Sequence, residues 1–281
     1  MTDSLAWIPE PLARQHHIKI VPLHITFGDQ AFTETVDLTN QEFYRRLREA
    51  KTLPKTSQPA AGEFLAAYRE VAETADAIVS LHASSKMSGT YRSAETGAAL
   101  LHQERADVRI ETIDTQTMAS CQGIVALRAA EDVAAGKTFD EVVANARTLM
   151  TKPRILFVPD TLEYLQKGGR IGRAQALLGS LLQIRPILTI EHGEVGARDR
   201  ARTRSRALAR VLELMAEHAQ GRPFAHVAVL HAAAAETAEE LKEQIRSRFG
   251  VPQGPFLEME MGPVIGTYVG PGAFGVSYHC E

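Results

Sequence analysis

The segment "ADAIVSLHASSKMSGTYRSAE", residues 75–95, contains an apolar run, a polar loop and the start of a helix pattern. Its residues 76–82 have the composition of a buried strand, and a helix is predicted to begin at Gly89. The same succession of strand and helix follows at 108–113 and 118–135. Repeated strand-loop-helix units predict a mostly parallel sheet covered by helices. Ligands of such sheets bind beyond the carboxyl ends of the strands, so this loop, rich in hydroxyl groups, lies where a ligand is expected.

The length of the chain, 281 residues, exceeds the usual size of one domain and leads us to expect two. A helix that begins with the capping box Thr138–Glu141 is broken by the pair Lys152-Pro153, which marks the domain boundary. The predicted fold class is therefore α/β with two domains. Residues 1–151 form an N-terminal three-layer domain with a mostly parallel sheet, and residues 152–281 form a C-terminal α/β domain with a mixed sheet.

Further predictions concern local structure. Residues 18–27 are predicted to form a single strand that returns through a hairpin at Gly28-Asp29, and Thr39–Glu42 is predicted to be a capping box. A helix is predicted at 175–182. Residues 184–190 and 194–200 are predicted to form an antiparallel pair around His192-Gly193. The segment "GPVIGTYVGPGAFG", residues 262–275, is predicted to be a glycine-rich loop whose backbone can approach another group closely.

The composition of the chain excludes several classes of protein. A net charge of −3 and a pI near 6.4 give no overall attraction to nucleic acid or to anionic lipid surfaces. The two cysteines, Cys121 and Cys280, form neither a disulfide framework nor a metal-ligand spacing, and the histidines are scattered. No apolar stretch reaches the roughly eighteen residues of a membrane span, and no signal peptide opens the chain. We therefore expect a cytoplasmic protein without a metal, a cofactor, a nucleic-acid partner or an integral membrane segment.

Ser88 is the first candidate for chemistry, as the nucleophile of a serine hydrolase with His82 as base and Asp114 as the third group. The nucleophile elbow G-x-S-x-G is absent, since Ser88 lies seven residues beyond Leu81 with one flanking glycine. A strand-end histidine that bonds to the backbone is the favoured interpretation of His82. A serine hydrolase or esterase using Ser88 and His82 remains the alternative function.

An anion site is the second candidate. Free N–H groups and the positive end of the helix dipole lie at the predicted helix start, Gly89, and favour an anion. Neither a P-loop nor a dinucleotide motif occurs, so a small-anion site stays open beside a simple N-cap role for Ser88. A second hydroxyl pair, Thr56-Ser57, lies between Pro54 and Pro59, which stiffen that loop.

Two basic segments add local positive charge, "KGGRIGRA" at 167–174 and "RDRARTRSRALAR" at 198–210. Basic runs of this kind are most often solvated helix faces, and recognition of a phosphate or an acidic partner is the less frequent alternative. Because the chain is acidic overall, we do not expect nucleic acid to be that partner.

Several segments together resemble the DegV family, in the same order and at similar separations across essentially the whole chain. They are "TDSLAWIPEPLA", "IKIVPLHITFGD", "KTSQPAAGEF", "SSKMSGTYRSAE", "TLEYLQKGGRIGRAQALLGSLLQIRPIL" and "GPVIGTYVGPGAFG". The resemblance implies a DegV-like α/β protein that binds one long-chain fatty acid in a tunnel between its two domains. It also implies a lipid-binding carrier rather than an enzyme, which presents the carboxyl group to a separate fatty acid kinase for acyl-phosphate formation.

The resemblance also implies roles for individual residues. Thr56 and Ser88 would hydrogen-bond the carboxylate of the fatty acid, with Ser57 and Gly89 beside them. Tyr268 stands where the family usually has a histidine of the carboxyl network; tyrosine can donate an O–H bond but cannot act as a proton-switching imidazole. The surface for the kinase would contain Lys167, Arg170, Arg173, Arg202 and Arg204.

A departure from the family occurs at the N-terminus. Family members usually carry a short apolar strand before "TDS", where this sequence has only Met1. We therefore expect either a natural start upstream of Met1 or a sheet that lacks one strand.

Overall fold

The computed structural model describes residues 1–178 and 184–281. Up to residue 151 the elements are β1 (Thr2–Asp3), a 3-10 helix (Ser4–Ala6), α1 (Glu10–Gln15), β2 (Ile20–Val21), β3 (His24–Phe27), β4 (Gln30–Thr33), α2 (Asn40–Glu49), β5 (Lys55–Ser57), α3 (Ala61–Val71), β6 (Ala77–His82), α4 (Thr90–Glu104), β7 (Arg109–Asp114), α5 (Ser120–Ala134) and α6 (Phe139–Leu149). The later elements are β8 (Arg154–Val158), α7 (Glu163–Lys167), a 3-10 helix (Gly172–Leu177), β9 (Arg185–Glu191), β10 (Glu194–Ala201), α8 (Arg204–Ala219), β11 (Phe224–His231), α9 (Ala235–Phe249), β12 (Phe256–Glu260), α10 (Pro263–Val269) and β13 (Phe274–Cys280).

Backbone contacts divide the chain into two units, each built from two segments. The first unit comprises Met1–Asp37 and Thr56–Thr151, and the second comprises Leu38–Lys55 and Lys152–Glu281. The sequence-based division into 1–151 and 152–281 differs from this one, because it assigned residues 38–55 to the first domain.

Helix α2 provides the physical reason why residues 38–55 belong to the second unit. Its residues Phe43 and Tyr44 are fully buried. The Tyr44 hydroxyl donates to the carbonyl of Met261 at 2.8 Å, and a Cβ added to Gly266 would lie 2.6 Å from the Phe43 ring. Helix α2 therefore packs against α10 and its preceding residues, which lie more than two hundred positions later in the chain.

The first unit contains a four-stranded sheet with the order β2-β1-β6-β7, and all its pairings are parallel. Alternate residues of a strand point to opposite faces. Leu81 packs with α5 and α6, whereas Ile78 packs with α3 and α4. Burying each large apolar side chain contributes about 1.5–3 kcal/mol, so these two cores hold helices on both faces. The prediction of a three-layer unit with a mostly parallel sheet is confirmed.

The N-terminal segment corrects the prediction of a single strand at 18–27. The predicted strand 18–27 is divided into β2 and β3, because Pro22 has no N–H to continue a ladder. Strand β2 joins the parallel sheet, and β3 joins a separate sheet with the order β4-β3-β5. The hairpin at Gly28-Asp29 is confirmed, and Gly28 has a φ of +57°. Thr2–Asp3 itself forms the short strand β1, between β2 and β6.

The second unit contains a mixed six-stranded sheet with the order β10-β9-β8-β13-β11-β12, as the predicted fold class requires. Strands β11 and β12 are parallel, and the other pairings are antiparallel. The predicted pair around His192-Gly193 is confirmed as β9 and β10, and both turn residues have positive φ. A core from β8, β11 and β13 packs on α8 and α9.

The C-terminal segment 262–275 was wrongly predicted to be a loop throughout. It forms helix α10, whose first residue is Pro263, and the start of the inner strand β13. Proline is favoured at the first position of a helix, because its missing N–H would have no partner there. Gly270, with a φ of +72°, ends the helix.

Other helix predictions were confirmed only in part. The capping box Thr138–Glu141 is complete, whereas at Thr39 only the hydroxyl bonds to the N–H of Glu42; the Glu42 carboxylate pairs with Arg45 and Arg46 instead. Of the predicted helix 175–182, the structure shows a 3-10 helix ending at Leu177, and 179–182 lie outside the described residues. In the described ranges, no helix combines the length and apolar character that crossing a membrane requires.

Candidate functional site

The loop between β6 and α4, residues 83–89, carries Ser88 at the carboxyl end of the parallel sheet. The N–H of Ser88 donates to the carbonyl of Ser84 at 3.0 Å, so the loop is a tight turn. The N-cap of α4 is Gly89. The Ser88 hydroxyl nevertheless accepts from the N–H of Thr90 at 3.3 Å and forms a hydrogen bond with the Thr90 hydroxyl at 2.7 Å. Ser88 and Gly89 are both half-buried and lie at the start of a fifteen-residue helix.

Thr56 and Ser57 form the end of β5, and the residue that follows them contacts Gly89. Thr56 is half-buried and Ser57 is exposed. The next residue, Gln58, lies with its amide group against Gly89: a Cβ added there would be 2.9 Å from both the Gln58 Cδ and Nε2 atoms. We call Thr56-Ser57 and Ser88-Gly89 the hydroxyl loops. This contact makes them neighbours in space although 31 positions separate Gln58 from Gly89.

The first turn of α4 lies at the hydroxyl loops and is suited to an anion. It contains no acidic side chain. The first N–H groups of a helix lack intrahelical partners, and the helix dipole adds positive potential at the same place. Hydroxyl donors beside this helix start can hold a carboxylate, and charge-assisted hydrogen bonds of this kind are the strong ones.

The loop after β7 supports the loop of Ser88. The Thr117 carbonyl accepts from the N–H of Ser84 at 2.8 Å, and the Thr115 hydroxyl donates to the carbonyl of His82 at 2.8 Å. Ala119 has a φ of +57° and a ψ of −151°, a conformation that costs about 1–3 kcal/mol in a residue other than glycine. Nothing in the sequence signalled this strained backbone in the loop after β7.

His82 is not paired with Ser88, which removes the support for the alternative function. Its Nδ1 atom lies 3.0 Å from the Asp3 carboxylate, and its Nε2 atom lies 2.7 Å from the hydroxyl of Ser80. Asp114, the proposed third group, accepts from the N–H and hydroxyl of Ser85. The expectation that His82 bonds to the backbone is also wrong, because both ring nitrogens contact side chains.

His82 belongs to a chain of polar groups that sequence reasoning missed. The Tyr68 hydroxyl donates to Ser80 at 2.9 Å, Ser80 contacts His82, and His82 contacts Asp3. We call these four residues the buried polar chain, because all four are fully buried. Burial raises the pKa of the Tyr68 hydroxyl, which keeps it a donor. The only signal in the sequence is the period of two that puts Ser80 and His82 on one face of β6.

Asp3 anchors the buried polar chain to the backbone. Its carboxylate accepts from the N–H groups of Leu5 and Ala83, at 3.0 and 3.1 Å, and from the Gln122 amide at 3.1 Å. Because both Asp3 oxygens accept from N–H groups, Asp3 acts as the acceptor, and the Nδ1–H group of His82 donates a hydrogen bond to it. The chain therefore fixes the end of β6, immediately before the loop that carries Ser88.

Tyr268 lies on α10 of the second unit rather than in a loop. Its half-buried ring packs against Gly168, where an added Cβ would be 2.4 Å from the ring atom Cδ1. The guanidinium of Arg170 lies over the same ring, 5.0 Å from its centre. The structure thus places a residue predicted to bind the carboxylate in contact with one predicted to face the kinase.

Three further basic residues of the predicted kinase surface are held by neighbours of the second unit. Lys167 forms an ion pair with Glu163 one helical turn away, and Arg173 donates to the carbonyl of Glu191 at 3.3 Å. Arg204 donates to the carbonyl of Gly272 at 3.3 Å. An exposed ion pair such as that of Lys167 with Glu163 contributes little to stability.

Arg202 is the remaining member of the predicted kinase surface, and it is exposed at the end of β10. The neighbouring Arg210 differs from it, because Asp199, Glu213 and Glu217 surround its guanidinium. The arginine run at 198–210 therefore contains one arginine that forms an ion-pair network, Arg210, and one that is exposed, Arg202.

No group of three or more histidine, cysteine or acidic side chains that suits a metal ion occurs within residues 1–178 and 184–281. The donors gathered at the hydroxyl loops are hydroxyl, amide and backbone N–H groups. Such donors suit an anionic oxygen ligand.

Comparison with known proteins agrees with the predicted family. The family model described as "Uncharacterised protein, DegV family" matches residues 1–281. A DegV domain-containing protein of Clostridium acetobutylicum is 37% identical over 281 residues, which cover 100% of this chain and 97% of the relative.

Solved structures give the same result. The DegV family protein of Thermus thermophilus, which is described as binding fatty acid, has 33% identity and a TM-score of 0.92. This match covers 100% of this chain and 98% of that one. A stearic-acid-binding protein of Eubacterium ventriosum has 25% identity and a TM-score of 0.91. This match covers 99% of this chain and 97% of that one. Family match, identity and fold coincide over the full length, and the chain therefore belongs to the DegV family.

Proposed function

We propose that this protein is a cytoplasmic carrier that binds one long-chain fatty acid. The carboxylate is held by Thr56, Ser57, Ser88 and Gly89, and the acyl tail occupies the tunnel that the family resemblance implies. The observation that carries the proposal is the contact of Gln58 with Gly89, which joins the two hydroxyl loops at the start of α4. The relatives described as fatty-acid-binding proteins support the choice of ligand.

Head group and tail contribute differently to binding. The free-energy cost of burying a carboxylate without partners is prohibitive. Each hydrogen bond to a charged group returns about 1.5–3 kcal/mol. A palmitoyl tail with about fourteen buried CH₂ groups contributes on the order of 11 kcal/mol before the costs of association. The tail therefore dominates the affinity, and the hydroxyl loops determine the orientation of the carboxylate.

Tyr268 is proposed as a further O–H donor to the same carboxylate. The contacts of its ring with Gly168 and Arg170 hold the ring in place, which reduces the entropy lost when its hydroxyl binds.

We also propose that the protein presents the carboxylate to a fatty acid kinase. Lys167, Arg170, Arg173, Arg202 and Arg204 supply positive charge in the second unit, which suits an acidic partner surface. Hydroxyl anchors leave the carboxylate without a tight ion pair, so that it keeps its nucleophilic character. The group transfer itself belongs to the kinase, and the carrier takes no catalytic part in it.

Native mass spectrometry of the purified protein tests fatty acid binding. We expect either a copurified adduct whose mass is that of a C16 to C18 fatty acid, or uptake of one palmitate or oleate per chain. Delipidated protein is the control, and phosphate is the competing small anion. Protein that carries no lipid and takes up none, or that exchanges palmitate for phosphate, would contradict the proposal.

A further inference from the structure

We propose that the side-chain amide of Gln58 is a further anchoring group, which donates an N–H bond to the head group of the ligand. The inference rests on the proposed function and adds a residue to its binding site. It makes Gln58 a determinant of head-group specificity, because an amide N–H favours an anionic oxygen over a neutral alcohol.

The position of Gln58 follows from the contact that joins the hydroxyl loops. A Cβ on Gly89 would lie 2.9 Å from the amide carbon and nitrogen of Gln58 and 3.3 Å from the amide oxygen. The amide therefore occupies the space that any side chain at Gly89 would take. Gln58 directly follows Ser57, and Gly89 directly follows Ser88, so the amide lies beside both hydroxyl loops.

The Gln58 amide is free to bind a ligand. Its side chain is exposed, and none of the hydrogen bonds among the described residues uses its amide group. The buried amide of Gln122 shows the contrast, since it donates to Thr2, to Asp3 and to the carbonyl of Leu81. The unused donor of Gln58 thus lies beside half-buried hydroxyl groups and the start of a helix, where an anion is favoured.

The backbone at Gln58 is stiff, which reduces the entropy cost of holding the amide in place. Pro59 has a fixed φ and also restricts the residue before it to extended conformations. Gly89 has a φ of −76°, which any residue can adopt. Its lack of a side chain is therefore explained by the neighbouring Gln58 amide rather than by the backbone.

Substitutions at Gln58 combined with two ligands test the proposal. Palmitate and hexadecanol share the tail and differ in the head group, and affinities for both are measured by competition with a fluorescent fatty acid. Loss of one hydrogen bond to a charged group predicts that Gln58→Met weakens palmitate binding about tenfold or more. Hexadecanol binding should change by less than about twofold, since the tail contacts remain.

Gln58→Glu sharpens the test, because it replaces the N–H donor with an acceptor of similar shape. Palmitate should bind more weakly than in Gln58→Met through repulsion between two carboxylates. Hexadecanol can donate its O–H to the introduced carboxylate and should bind at least as well as in the wild type. Gln103→Glu, an exposed substitution in the last turn of α4, is the control with the same change of charge.

A double-mutant cycle with Gly89→Ala tests the contact itself. The new Cβ meets the far end of a flexible side chain, so the protein should fold and the Gln58 amide should move aside. Gly89→Ala should therefore weaken palmitate binding in the wild type but have little further effect in Gln58→Ala. Additive losses would mean that Gly89 and Gln58 act separately, and they would overturn the proposal.

The outcomes separate this proposal from the proposed function. Wild-type protein that binds no fatty acid would contradict both. Wild-type protein that binds palmitate while the Gln58 variants bind it equally well would overturn the role of Gln58 alone. Equal losses for palmitate and hexadecanol would also overturn it, because they would indicate an effect on the tail or the fold.

Discussion

The buried polar chain and the hydroxyl loops both adjoin strand β6, yet their polar groups have opposite surroundings. In the buried polar chain, His82 and Ser80 are fully buried and bonded to other side chains. In the hydroxyl loops, Ser88 is half-buried and Ser57 is exposed. A serine within a saturated interior network stabilises the fold, whereas a serine at a strand end beside a helix start can serve a ligand. Burial and partners therefore assign the two roles that residue type alone left open.

Asp3→Asn is expected to have the largest effect, and it acts on stability. The substitution replaces one carboxylate oxygen by an N–H₂ group that faces the N–H donors of His82, Ala83 or Leu5. Leaving buried groups without partners should lower the free energy of unfolding by about 3 kcal/mol. Urea unfolding measures the change, and the exposed Asp76→Asn should change it by less than about 0.5 kcal/mol. Equal effects of the two variants would mean that the buried polar chain contributes no stability.

Ser88→Ala is expected to have the next largest effect, and it acts on binding. Loss of a hydrogen bond to the carboxylate should weaken palmitate binding by about 2 kcal/mol, while loss of the bond to Thr90 lowers stability by at most about 1 kcal/mol. Titration calorimetry with palmitate and urea unfolding measure the two quantities.

Ser80→Ala is the matched control for Ser88→Ala, with the opposite expectation. It leaves the Tyr68 hydroxyl and one ring nitrogen of His82 without a partner, so stability should fall and palmitate affinity should stay within about twofold. If both variants lost affinity and stability in the same proportion, the distinction between the two clusters would be lost.

Tyr268→Phe should have the smallest effect, a loss of about 1 kcal/mol in palmitate binding. The ring and its contact with Arg170 remain, so the melting temperature should not change. Tyr164→Phe is the control, because the Tyr164 ring lies against Gly270 in the same unit and is not proposed to bind the ligand. Unchanged palmitate affinity in Tyr268→Phe would remove Tyr268 from the proposed site.

Local patterns predicted much of the fold but failed where proline or glycine has more than one role. Apolar periodicity located β6, α4 and β7 because each element buries one face, and the hydrophobic pattern records that face. Pro22 ends a strand that was predicted to continue, while Pro263 begins a helix in a segment predicted to be a loop. The same residue type breaks one element and starts another, and the neighbouring sequence alone does not distinguish the two cases.

The amino-acid sequence by itself determined the α/β class, the family and the two hydroxyl loops, because these depend on short-range periodicity and on segments with recognisable order. Only the tertiary structure decided that residues 38–55 pack with the second unit, that His82 bonds to Asp3, and that Gln58 covers Gly89. Each of these facts is a contact between residues far apart in the chain. Such contacts are selected by the packing of whole elements, and packing leaves no periodic signal in the segments that it joins.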